Sequence, residues 1–165
     1  MTIRILIADD HTILRQGLQS ILSSDGEFKI IGEASTGLEA LTKIEQFRPD
    51  VVLLDLKMPS LSGLQVLRKV QQTFPRTQVV ILTMYQKEAY VLEALRHGNC
   101  SYVMKGADSE VLAEAIRTAA RGERFLGPPI TEEDIENYIR QAQNQDVDPW
   151  ETLTNREREI IHLVV

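Results

Sequence analysis

Asp55 closes an apolar run, VVLLD, after which the chain turns through Lys57, Met58 and Pro59. A carboxylate delivered to the C-terminal end of a buried strand costs free energy unless something pairs or uses it. In a parallel sheet the crevice outside those strand ends is where ligands bind. Four more polar groups follow or end apolar runs: Asp9 and Asp10 after IRILIA, Thr83 in QVVILT and Lys105 in SYVMK. If the first and third runs are neighbours, three carboxylates meet at one edge and raise one another's pKa unless a cation neutralises them. Mg2+ suits such a donor set, because it keeps several waters and takes one or two carboxylates together with phosphate oxygens. The group therefore reads as a phosphoryl site. Asp55 is the nucleophile toward phosphorus, giving an acyl phosphate. Mg2+ and Lys105 neutralise the equatorial oxygens, and Thr83 hydrogen-bonds one of them. No evident base stands ready to activate water, so the expectation is Mg2+-dependent self-phosphorylation from a phosphodonor with slow autodephosphorylation.

These residues need a scaffold that brings strand ends together. Ile3–Ala8, Lys29–Ala34, the run from Val51, Gln78–Thr83 and Ser101–Lys105 read as strands, the apolar ones suited to burial on both faces. Between them, helical spacing predicts helices over Thr12–Leu22, Gly37–Phe47, Gly63 to Pro75, Glu88–His97 and Ala107–Arg121. The inner faces predicted for the first two are Ile13, Leu14, Leu18, Ile21 and Leu22, and Leu38, Leu41, Ile44 and Phe47. Strands alternating with helices through short loops predict an α/β fold, a doubly wound, five-stranded parallel sheet of the flavodoxin-like order 2-1-3-4-5.

From Gly122 the texture changes. GERFLGPPI, with two glycines and a Pro-Pro pair, marks a boundary. Thr131 then reads as an N-cap, with Glu132, Glu133 and Asp134 in the first turn, where the helix dipole favours negative charge. A linker helix to about Asn144 carries Ile135, Tyr138, Ile139 and Ala142 on one face, suited to packing on the preceding domain or on a second copy. Glu151–Val165 opens another amphipathic helix with no partner in the chain, and a lone helix of that length is marginal in water. The expected division is one domain over residues 1–121, a linker over 122–150 and the start of a truncated all-α domain over 151–165.

Residues 1–130 hold fifteen acids and fifteen bases, whereas 131–150 hold six acids and one base. Nothing here supplies the basic footprint that a phosphate backbone requires. No apolar run approaches the roughly 18 to 20 residues that cross a bilayer, and the N-terminus reads as a strand, so a cytoplasmic chain without membrane contact is expected. The single cysteine, Cys100, excludes an intrachain disulfide and reads as a buried thiol. His11 has no second histidine or cysteine at ligand spacing and is assigned no metal role.

ADDH after the first strand, LLDLKMPSLSG around the third, LTMY after the fourth and YVMKGA at the fifth together resemble the receiver domain of two-component response regulators. That resemblance implies that Asp55 is the phosphorylated residue and a Mg2+ ligand, that Asp10 binds the ion directly and Asp9 through water, and that the Lys57 backbone carbonyl completes the protein ligands. Thr83 and Tyr102 would form the switch pair, the hydroxyl moving to the phosphate and the ring turning inward behind it, and Lys105 would pair with the phosphate. RGERFLGPPI followed by LTNREREIIHLVV is similar to the NarL/FixJ group, in which a receiver precedes a LuxR-type helix-turn-helix domain. The implied partners are a sensor histidine kinase as phosphodonor and a second copy on phosphorylation. DNA is implied only for the full-length parent, because the groove-reading helix lies beyond Val165.

Two departures stand out. Gly106 follows Lys105 where many receivers have a proline in a cis linkage, and Lys57 and Tyr85 flank the route of water to the phosphate, where they should tune its lifetime. Two other readings compete. An aspartate-nucleophile phosphohydrolase typically needs a second acid two residues after the nucleophile, where this chain has Lys57. A dinucleotide-binding domain needs a glycine-rich first turn, and here that turn is DDHTIL.

Overall fold

The computed structural model describes residues 1–84, 89–97 and 99–144. Five strands, β1 (Ile3–Ala8), β2 (Phe28–Ala34), β3 (Val51–Leu54), β4 (Gln78–Thr83) and β5 (Ser101–Met104), alternate with α1 (Thr12–Ser23), α2 (Gly37–Phe47), α3 (Gly63–Thr73), α4 (Ala89–Arg96) and α5 (Ser109–Ala120). The sheet order is β2-β1-β3-β4-β5 with every pair parallel, as the alternation predicted. A further helix, α6 (Glu132–Asn144), follows.

Successive residues of a strand face opposite sides of the sheet, and the core divides accordingly. Leu6, Ala8, Val52, Leu54 and Ile81 pack under α2, α3 and α4. Ile5, Ile7, Leu53 and Val80 pack under α1 and α5. The apolar runs are thus buried on both faces, which is why they lack the polar alternation of a half-exposed strand.

The helix starts are chemically specified. Thr36 accepts a hydrogen bond from the Glu39 amide at 3.1 Å, and Ser62 and Gln65 form a reciprocal capping box. At α6 the Thr131 hydroxyl oxygen accepts from the Asp134 amide at 3.3 Å, while the Thr131 amide donates to Asp134 Oδ2 at 2.9 Å. Two predicted inner faces need correction. Ile13 is 84% exposed and Ile21 47%, leaving Leu18 and Leu22 as the buried residues of α1; in α2, Leu38 is 57% exposed, while Ala40 and Ile44 are buried. An apolar residue one position off the face centre keeps helical spacing without touching the sheet.

The segment read as a boundary is ordered against the sheet. The Tyr102 amide donates to the Phe125 carbonyl at 2.9 Å and the Gly127 amide donates to the Tyr102 carbonyl at 2.8 Å, so residues 125–127 run parallel beside β5. A Cβ on Gly127 would lie 3.0 Å from the Tyr102 carbonyl oxygen, so the close approach favours glycine. Of the linker-helix stripe, Ile135, Tyr138 and Ala142 are buried and Ile139 is partly buried against the core under α2, α3 and α4. The stripe packs on its own chain.

Among the described residues, no helix is long and apolar enough to cross a membrane. Tyr85 and the helix predicted from Glu151 lie outside the described residues.

Candidate functional site

The sheet register sets the site. The Asp55 amide donates to the Ala8 carbonyl at 2.9 Å, extending the β1–β3 ladder by one residue, and the Lys105 amide donates to the Thr83 carbonyl at 2.8 Å, doing the same for β4 and β5. Because Ala8 precedes Asp9, Asp10 and His11, these ladders bring the predicted polar residues to one end of the sheet. Beneath Asp55 the turn into α3 is tied by Gly63, whose amide donates to the Leu56 carbonyl at 2.9 Å.

Asp9 and Asp55 are buried, 2% and 4% exposed, whereas Asp10 faces solvent. Lys105 Nζ bridges the two buried acids, 2.7 Å from Asp9 Oδ2 and 3.2 Å from Asp55 Oδ2. The approach to Asp9 is an ion pair and not an aligned hydrogen bond, so that buried oxygen has no well-directed donor. Asp55 Oδ1 accepts the Lys57 amide at 3.2 Å. Thr83 is fully buried at the end of β4, and Tyr102 is fully buried beside the linker. The ring lies in one apolar cluster with Tyr90, Val91, Ala94 and Leu95 of α4 and with Ile130 and Ile135.

His11, which sequence reasoning set aside, belongs to the cluster. Its amide donates to Asp9 Oδ1 at 2.7 Å, and its Nδ1 lies 2.8 Å from the same oxygen and 3.2 Å from Asp10 Oδ1. The only sequence signal was adjacency to the Asp-Asp pair. The Lys57 ammonium lies 5.2 Å from the centre of the Tyr90 ring on α4. The sole cis peptide among the described residues joins Pro128 and Pro129, so Lys105–Gly106 is trans, with Gly106 at a φ of 93°. The turn after Lys105 therefore uses glycine's tolerance of positive φ where a cis proline was the alternative.

Electrostatics follow from burial. Desolvation raises the Asp55 carboxyl from its ordinary 3.8 to about 6, helped by the Asp9 charge and opposed by Lys105 and the Lys57 amide. Burial alone would depress Lys105, but its contacts with Asp9 and Asp55 outweigh this and hold the ammonium above the usual lysine range. The site is thus a concentration of negative charge that one lysine only partly offsets. One potential ligand atom from each of Asp9, Asp10, His11 and Asp55 lies within 4.8 Å of all the others. Three carboxylates gathered this closely, two of them buried and with one ammonium beside them, supply the oxygen donors that a hard divalent cation takes.

A sequence model of the response regulator receiver domain matches residues 5–117. The oxygen regulatory protein NreC of Staphylococcus carnosus (strain TM300) is 38% identical over 98% of this chain and 76% of its own length. Among solved structures, a LuxR-family two-component response regulator from Aurantimonas sp. SI85-9A1 superposes with a TM-score of 0.73 at 30% identity, over 88% of this chain and all of that one. A LuxR-family DNA-binding response regulator from Staphylococcus aureus matches 72% of this chain and 98% of its own at 31% identity, with a TM-score of 0.67. With its sheet order, its acidic strand-end cluster and these relatives, the chain belongs to the response regulator receiver family.

Proposed function

We propose that this chain is a phosphorylation-controlled switch in which Asp55 accepts a phosphoryl group from a phosphohistidine on a sensor histidine kinase. The observation that carries the reading is the buried Asp55 carboxylate, 3.2 Å from the Lys105 ammonium, which also lies 2.7 Å from Asp9. In the transfer, an Asp55 oxygen bonds to phosphorus as the phosphorus–nitrogen bond to the donor breaks. The imidazole keeps that electron pair and is protonated from solvent.

Lys105 then pairs with the phosphoryl oxygens, and Thr83, at the end of the β4–β5 ladder, hydrogen-bonds one of them while Tyr102 follows. Asp10, Asp55 and the Lys57 carbonyl, with Asp9 acting through water, are the groups that would hold Mg2+. Bound there, the ion neutralises charge on both the carboxylates and the phosphoryl group. Lys57 occupies the place where a phosphohydrolase carries its second acid, and its ammonium lies over Tyr90. That placement favours a persistent acyl phosphate over turnover.

In the wider protein, residues 1–121 act as the receiver, 122–150 as linker and 151–165 as the start of a LuxR-type DNA-binding domain. Phosphorylation promotes homodimerisation and DNA binding of the full-length form in the cytoplasm. A relative described as DNA-binding supports that extension.

Incubation with a small phosphodonor and Mg2+, followed by peptide mass mapping, tests the core of the reading. One phosphoryl mass on Asp55, absent from Asp55→Asn, is expected. Label on another residue, or steady phosphate release without label, would overturn it.

A further inference from the structure

We propose that His11 Nδ1 is a direct metal ligand, and that it makes the aspartate cluster select a divalent first-row transition ion over Mg2+; the proposal rests on the cluster being the cation site of the receiver. The spacing of the atoms carries it. His11 Nδ1 lies 2.8 Å from Asp9 Oδ1 and 3.2 Å from Asp10 Oδ1. Neighbouring ligands of an octahedral ion with bonds of about 2.1 Å stand about 3.0 Å apart, and opposite ligands about 4.2 Å apart. The candidate ligand atoms of Asp9, Asp10, His11 and Asp55 all fall within 4.8 Å of one another, so four residues can share one ion with little adjustment.

The backbone sets the ring there. His11 is the N-cap residue of α1, with extended dihedrals (φ −90°, ψ 106°), yet its side chain makes no capping bond. That position ordinarily takes Ser, Thr, Asp or Asn, whose oxygen accepts from an amide of the first turn. Here the imidazole meets the carboxylates instead. The His11 amide donates to Asp9 Oδ1 at 2.7 Å, so main chain and ring converge on one oxygen, and Arg15 Nη1 donates to the Asp9 carbonyl at 2.6 Å, fastening the same turn to α1. The side chain is 63% exposed, so packing does not account for a histidine at this place. A ring N–H bonded to Asp9 gives the same 2.8 Å, and the two accounts part when an ion binds.

The other charges leave room for it. Lys105 Nζ is 3.5 Å from Nδ1 but pairs with Asp9 Oδ2 and Asp55 Oδ2, while Asp55 Oδ1 accepts the Lys57 amide. Asp9 Oδ1 and Asp10 Oδ1 are therefore the oxygens beside the imidazole. Mg2+ is hard, gives up water reluctantly and gains little from nitrogen, whereas imidazole suits the ions from iron to zinc. His11 ligates as the neutral ring, its lone pair on Nδ1 and its remaining proton on Nε2. One imidazole added to carboxylates thus raises affinity for a transition ion and leaves that for Mg2+ where oxygen ligands set it.

The test uses the 165-residue chain without an affinity tag. Mg2+ and Ni2+ are titrated calorimetrically into the parent and into His11→Asn, whose amide can keep a hydrogen bond to Asp9 but carries no imidazole. The variant should lose about 10- to 100-fold in Ni2+ affinity and stay within about 2-fold for Mg2+. A drop shared equally by both ions would make His11 a positioning group for Asp9, and an unchanged Ni2+ affinity would make it a bystander; either result overturns the proposal. A second readout addresses the bond itself. With histidine labelled in nitrogen-15 and Mn2+ bound, electron–nuclear double resonance should show a directly coordinated nitrogen that disappears in His11→Asn, although His97 and His162 remain. No such coupling in the parent overturns direct ligation. If the parent binds neither ion, or Asp10→Asn binds both as tightly as the parent, the cation site beneath the proposal fails too, and the Mg2+ titration tells that failure from the loss of His11 as a ligand alone.

Discussion

The carbonyl of Asp55 occupies the space that a side chain on Gly63 would need: an ideal Cβ on Gly63 falls 2.3 Å from that oxygen and 2.4 Å from Leu56 Cα. The first residue of α3 is therefore pressed against the backbone of the proposed acceptor. Both neighbours are main chain and cannot rotate aside. Gly63→Ala should lower stability by about 1–3 kcal/mol and displace the Asp55 loop. Urea unfolding would register the first effect, and a reduced rate of labelling at Asp55 the second; an unchanged midpoint would refute the packing account.

Burial of Asp55 has a defined pH consequence in the absence of divalent cations. Its folded pKa, about 6, lies above the ordinary 3.8, so the native state binds this proton more tightly than the unfolded chain. Its contribution is complete below about pH 4, falls as pH rises through about 6, and is absent above. Asp55→Asn should then stabilise the metal-free protein at pH 8, by an amount on the order of 2–3 kcal/mol, and do little at pH 4. Thermal melts in EDTA at the two pH values would show this difference, and equal shifts at both would contradict it.

Mg2+ should act on the same charge. A ligand that binds the folded state alone stabilises it by mass action. Addition of Mg2+ at pH 8 should raise the melting temperature of the unmodified chain clearly more than that of Asp55→Asn or Asp10→Asn. An identical rise in all three would place the ion elsewhere.

Among the described residues, Lys105 is the one lysine that touches both Asp9 and Asp55, and Lys105→Met removes its charge while keeping much of its length. Two carboxylates then remain buried without their partner, a change that costs about 3–5 kcal/mol in comparable ion pairs. The loss should be largest in EDTA near pH 8 and partly recovered by Mg2+, as read from denaturation midpoints. If the variant proves as stable as the parent in EDTA, the bridge contributes nothing.

Cys100 offers a check on the core that is independent of the site. It is 1% exposed, and burial pushes its thiol up to about 12. The reactive thiolate is scarce at pH 8. Iodoacetamide should leave the native chain unlabelled over hours and alkylate it rapidly in denaturant. Fast labelling of the native chain would mean that the α4–β5 region opens readily.

The sheet was legible because ILIA, VVLL and VVIL are apolar at consecutive positions, and the site because each of these runs is followed by a polar residue. Strand ends in a parallel sheet meet by topology, so their polar residues could be placed together without knowing any side-chain contact. Helix faces were less legible: Ile13, Ile21 and Leu38 have the right spacing and wrong azimuth, which only contact with the sheet decides. Glu93, with Arg96 and His97 three and four residues on, has the pattern of a solvated helix pair. Its burial comes from a helix some forty residues away. The strand-like run beside Tyr102 was hidden because backbone pairing of residues 125–127 leaves no trace in residue type, and glycines and prolines nearby read as a break.

That run has a consequence for handling the domain. A fragment ending at Arg121 would strip the outer strand of its hydrogen-bonding partner and uncover the apolar side of α4 in the same cut. Unpaired strand borders are templates for association with other chains. Such a fragment should be prone to aggregate, whereas one extended to Asn144 keeps its own guard in place.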